Sequence, residues 1–211
     1  MGTRVALAAL PFPNIPEHLA SRDYPARMEP CPEVRDWARE MFLDFQSTFY
    51  NSDHEHLEQA SLGFLWTNRK FLDKGRHVLG EASMGQPTGK PWSQMQRTML
   101  YSEWFGEIPD FVITLDAVFL AEAGPDQICA VIEHELYHCG LMKDKYGETV
   151  FDPITGLPRF CIRGHDIEEF TGVVGRYGPW NKGLKLMREA LNQKPLYGPV
   201  ELDGICGTCG R

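Results

Sequence analysis

His134-Glu135-Leu136-Tyr137-His138 decides how the rest of this 211-residue chain is read. Histidines at i and i+4 of a helix share a face, so both imidazoles can reach one metal ion. The intervening Glu135 sits where it can take a proton from a metal-activated water. Upstream, Gly124-Pro125-Asp126-Gln127 reads as a helix start, with proline in the first turn and Asp126 near the positive end of the dipole. Nothing breaks a helix from there to Cys139. At 100° per residue, Ile128, Val131, Ile132, Glu135 and Cys139 fall on one apolar sector, with His134 and His138 at its edge. Polar groups turned into an apolar interior need partners, and a metal ion satisfies two histidines and a glutamate together.

A catalytic zinc site usually has three protein ligands and an open position. The next cluster is Gly164-His165-Asp166-Ile167-Glu168-Glu169-Phe170, read as the opening of a second helix. His165 is the first choice for the third ligand, because imidazole suits zinc and Gly164 allows a close approach. Glu169, one helical turn further on, is the alternative. Asp166 and Glu168 would orient the histidines by hydrogen bonding, or simply charge the first turn of that helix.

HELYH, a spacer of this size, GHDIEEF and then Val173-Val174-Gly175-Arg176-Tyr177-Gly178 together resemble the putative phage metallopeptidase family. More distantly the chain is similar to SprT-like zincins, whose third histidine precedes a short stretch ending in phenylalanine, here His165 to Phe170. The resemblance spans about residues 58 to 181. It implies a Zn2+ ion held by His134, His138 and His165, Glu135 as catalytic base, and a peptide or protein substrate. The metzincin extension is absent, since Leu141 and Asp144 stand where its glycine and histidine belong.

Length and composition fit one globular domain. The chain has room for a full core, and its net charge of −8 argues against general nucleic-acid binding. No apolar run approaches the ~20 residues that span a bilayer, and the hexamer Val5–Leu10 is too short for a signal peptide, which points to the cytoplasm, that of the host if the chain is phage-encoded. The six cysteines do not form a disulfide-framework pattern. Cys129 and Cys139 read as buried fillers. Cys206 and Cys209, in Gly204-Ile205-Cys206-Gly207-Thr208-Cys209, form half of a structural metal knuckle whose other ligands are not nearby in sequence.

Residues 1–30 are proline-rich and read as an arm, 31–195 as the zincin-like domain, and 196–211 as a tail carrying the Cys-x-x-Cys. A helix is expected from Pro32 to about Asn51 on the spacing of Val34, Trp37, Ala38, Met41, Phe42 and Phe45. Gly63–Thr67, His77–Ala82 and above all Phe111–Leu115 read as strands. Phe111–Leu115 is either the edge of the cleft, open to a substrate strand, or an ordinary inner strand. Trp180 is expected to plug the core, and Lys182–Gln193 to form a further amphipathic helix. Asp53-His54-Glu55-His56 is not read as a metal site, because residues two apart face different sides of a helix.

The fold class that follows is α+β and zincin-like: helices packed on a small twisted sheet, the H-E-x-x-H helix at the centre. Tyr177 and Arg176 are candidates to stabilise the oxyanion. Two rival functions stand beside peptide hydrolysis: hydrolysis of a small molecule in a closed pocket, and a zinc-dependent interaction module with saturated coordination.

Overall fold

The computed structural model describes residues 10–196 and 200–208. In chain order the elements are β1 (Met28–Pro30), α1 (Pro32–Phe42), a 3-10 turn (Ser52–Gln59), β2 (Leu62–Thr67), β3 (Leu72–Asp73), β4 (Arg76–Met84), α2 (Pro91–Phe105), β5 (Phe111–Asp116), α3 (Ala117–Glu122), α4 (Pro125–His138), β6 (Cys139–Leu141), β7 (Phe160–Ile162), α5 (Thr171–Tyr177), α6 (Lys182–Leu191) and β8 (Ile205–Cys206). The fold is mixed α/β, helices on a sheet ordered β1-β2-β5-β4-β3, with β8 added to β4. The pairs β2–β5 and β4–β8 are parallel; β1–β2, β4–β5 and β3–β4 are antiparallel.

β2 is buried at every position, as a continuous apolar run predicts for a strand covered on both faces. β5 lies between β2 and β4, so of the two readings of Phe111–Leu115 the structure has the inner strand. The strand beside the H-E-x-x-H helix is β4, whose far side carries the short strands β3 and β8. Phe111 is fully buried, and its ring meets Phe160 edge-on at 5.4 Å, tying β5 to β7. Phe111→Ala is expected to cost about 3–5 kcal/mol of unfolding free energy, read from denaturant midpoints. A loss under about 1 kcal/mol would show that this contact does not anchor the β6–β7 pair.

Three sequence expectations change. The first helix stops at Phe42, and Phe45 is 76% exposed: the apolar spacing runs on, but Asn51 N–H closes back onto the Phe42 carbonyl at 3.0 Å and turns the chain. Residues 163–170 form a loop, and the helix there begins only at Thr171. Trp180 lies 56% exposed, off the core. The helix α2 buries no residue: its apolar side chains, among them the exposed Trp92, Met95, Met99 and Leu100, are spread around it instead of forming one core face.

The N-terminal segment is sewn to the sheet. Leu19 is fully buried, β1 pairs with β2, and Asp116 accepts from Arg22 (2.5 Å) and bonds the His77 ring (2.6 Å) while capping α3 through the Phe119 N–H. Cys31 is buried, and burial pushes its thiol well above the usual range; burial, with the nearby acids Glu133 and Asp126, lifts Cys129 to about 12. The thiolate is the nucleophile, so neither should react with a thiol-specific alkylating agent at pH 8 until the chain is unfolded. Peptide mapping by mass spectrometry reads this directly, and rapid labelling of native Cys31 would contradict it.

Candidate metal centre

The helix α4 starts at Gly124, whose N–H is capped by the Gln127 side chain at 2.9 Å, with Pro125 in its first turn. Its inward face is Ile128, Val131, Ile132, Glu135, Leu136 and His138, which sets the helix against the sheet and turns the motif toward β4. Gly80 on β4 is where the two meet: a Cβ there would stand 2.8 Å from Glu135 Oε1. Only glycine leaves the carboxylate that room.

The chain then returns through the β6–β7 ladder, pairing Cys139 with Ile162 and Gly140 with Cys161. Two further bonds extend this ladder to the motif. Arg163 N–H donates to the His138 carbonyl (2.8 Å), and His138 Nδ1–H donates to the Arg163 carbonyl (2.6 Å). Two residues on, His165 swings over the end of α4. Its Nε2 stands 3.1 Å from His134 Nε2, which is 3.2 Å from His138 Nε2. The tail supplies a fourth donor, Cys206 Sγ, at 3.1 Å from His138 Nε2. All four donor atoms lie within 4.8 Å of one another.

Hydrogen bonding among the rings does not explain this packing. The Arg163 carbonyl fixes the proton of neutral His138 on Nδ1, leaving a lone pair on Nε2. His134 Nε2 faces both His138 Nε2 and His165 Nε2, and one ring nitrogen can make only one of those hydrogen bonds. A cation at the common focus satisfies every lone pair at once. Ligands ~2.0–2.1 Å from a tetrahedral zinc stand roughly 3.3–3.4 Å apart, close to the observed spacings. The donor set, nitrogen with one sulfur, suits zinc. Burial, and then His138, hold the His165 ring below its usual pKa against the pull of Glu168 and Asp166, so it stays neutral as a ligand must.

Glu135 is buried behind the cluster, its Oε2 3.9 Å from Cys206 Sγ and within 3.2 Å of the Thr208 hydroxyl. Burial, and then the Cys206 thiolate, raise its carboxyl to about 8, with His138 and Thr208 opposing. A cleft of about 640 Å³ opens beside the site, lined among others by Arg76, Gly80, His134, Glu135, Glu168 and Cys206.

The other candidates lie apart. Glu169 is outside the donor cluster and bonds the Phe170 N–H. Without a helix at 163–170, it is not stacked one turn along from His165. Asp166 pairs with Arg163 at 2.5 Å, and Glu168 lines the cleft. Tyr177 is 72% exposed and is not among the described residues lining the cavities next to the histidines. Tyr137 faces away, bonded to Asp53 and Asn51. His56 bonds the Cys139 carbonyl and His54 packs edge-on against Tyr137, so neither joins the cluster. Cys206 sits with the histidines instead of forming a separate tail site, and Cys209 lies outside the described residues. Sequence reading missed Cys206 here; the glycines flanking it, Gly204 and Gly207, were the available signal of close backbone approach.

The chain matches the family described as putative phage metallopeptidase over residues 26–189. It belongs to that family. No curated protein and no solved structure matched the chain. Membership in the phage metallopeptidase family implies a metal ion and a peptide or protein substrate, and the histidine–cysteine cluster could hold that ion. Among the described residues no helix is long and apolar enough to cross a membrane.

Proposed function

We propose that this chain is a zinc-dependent endopeptidase of zincin type, with His134, His138 and His165 as metal ligands and Glu135 as general base. The observation that supports this reading is the place of Glu135: a buried carboxylate 3.9 Å from Cys206 Sγ, itself one of the four clustered donor atoms. A structural site has no use for a base there. Zinc held by the histidines would polarise the scissile carbonyl and activate a water for attack. Glu135 would accept the proton and return it to the leaving amine. The Arg163 carbonyl holds the His138 tautomer throughout. The site opens on a cleft and not a closed pocket, which favours a polypeptide over a small-molecule substrate.

One observation favours the second reading, an interaction module: four donors saturate a tetrahedral zinc. Incubating the metal-replete chain with an unfolded polypeptide separates the two. New termini found by mass spectrometry, lost on chelation and restored by zinc, are expected. Metal-loaded wild type and Cys206→Ala chains that both leave the substrate intact would favour the module.

A further inference from the structure

The segment that brings Cys206 to the histidines also occupies the sheet edge beside them. Val78 pairs with Ile205 and Gly80 with Cys206, and Gly207 N–H donates to the Gly80 carbonyl at 2.7 Å. Beyond the ladder a side chain takes over: the Thr208 hydroxyl accepts from Ala82 N–H at 2.7 Å and reaches the Ala82 carbonyl at 3.1 Å. The same hydroxyl reaches Glu135. The segment is shaped to lie this close. A Cβ at Gly204 would stand 2.4 Å from Leu79 Cγ, and one at Gly207 would stand 2.8 Å from Val78 Cγ1.

We propose that Gly204–Thr208 is a built-in latch: Cys206 Sγ is the fourth, displaceable ligand of the metal, and the segment fills the β4 edge on which a substrate chain would lie. The latch rests on the peptidase reading for its purpose, but not for its geometry. The sulfur takes the position a water needs, and Thr208 engages the base. An extended substrate binds a sheet edge through its backbone, and here that edge from Val78 to Ala82 is already used. Opening requires only that the thiolate leave the metal, taking a proton from solvent, and that a short strand detach. Conversion from latched to open form therefore needs no oxidant and no cleavage, and a competing extended chain suffices.

The test uses the full chain loaded with cobalt(II) in place of zinc, wild type and Cys206→Ala, titrated with acetohydroxamic acid as a probe of open metal positions. Wild type is expected to show thiolate-to-cobalt charge-transfer absorption. Cys206→Ala is expected to lose it, keep the metal, and bind the hydroxamate at least about tenfold more tightly. Identical spectra, or equal hydroxamate affinity, would overturn the latch. So would loss of metal from folded Cys206→Ala, which would make the thiolate a permanent ligand. Should Cys206→Ala fail to fold, Gly207→Val decides: dislodging the segment should weaken the charge-transfer band and tighten hydroxamate binding, and an unchanged spectrum would overturn the proposal. If the tenfold difference stands while neither chain cleaves unfolded polypeptide, the peptidase reading falls and the latch on the metal survives.

Discussion

Glu135→Gln is expected to slow peptide hydrolysis by about 10²–10⁴-fold, the usual contribution of a positioned general base, while metal content is unchanged. The substitution is close to isosteric, so the space opposite Gly80 is filled as before. The Thr208 hydroxyl can still bond the amide oxygen, and no donor of the cluster is touched. A buried carboxyl whose charge is disfavoured becomes neutral, so the fold should not weaken. The comparison is best made in the Cys206→Ala background, where the tail does not limit access. Hydrolysis at near wild-type rate with zinc bound would remove Glu135 from the mechanism.

The second large effect is expected at His138. This ring is buried, donates through Nδ1 to the Arg163 carbonyl, and turns Nε2 to the cluster. His138→Ala removes a metal donor and one strut between α4 and the β6–β7 pair together. Losing only a bond that supports a ligand typically costs 10–100-fold in metal affinity, so losing the ligand should exceed about 100-fold. Metal bound only by the native state stabilises it by about 4.1 kcal/mol at a thousandfold excess over Kd. Wild type should therefore melt at a markedly higher temperature with zinc than with chelator, and His138→Ala should show a much smaller rise at the same zinc concentration. An equal zinc-dependent rise in the two would mean that His138 is not a ligand.

The legible parts of this chain were those fixed by local pattern. The helix α4 was readable because its apolar sector, proline start and histidine spacing all depend on residues within one element. The strands around Gly63–Thr67, His77–Ala82 and Phe111–Leu115 stood out by composition, yet which of them formed the edge did not. That depends on the order β2-β5-β4, which is set by long-range pairing. His165 was selected for its chemistry, though the helix expected to carry it is a loop; the ladder from Cys139–Ile162 through His138–Arg163 positions it instead. In that loop Glu169 does not stack one turn above His165 and bonds the Phe170 N–H instead. Cys206 could not be assigned to the histidines from spacing, because a parallel two-residue strand on β4 delivers it from the far end of the chain. Membership in the family covers residues 26–189, which stop short of this segment.

The most direct test of the three-histidine centre is the zinc content of purified wild type, His165→Ala and Glu169→Ala by elemental analysis after dialysis against zinc and then buffer. About one zinc per chain is expected in wild type and in Glu169→Ala, with His165→Ala largely depleted. Folded wild type that retains no zinc, or His165→Ala that retains as much as wild type, would contradict the account.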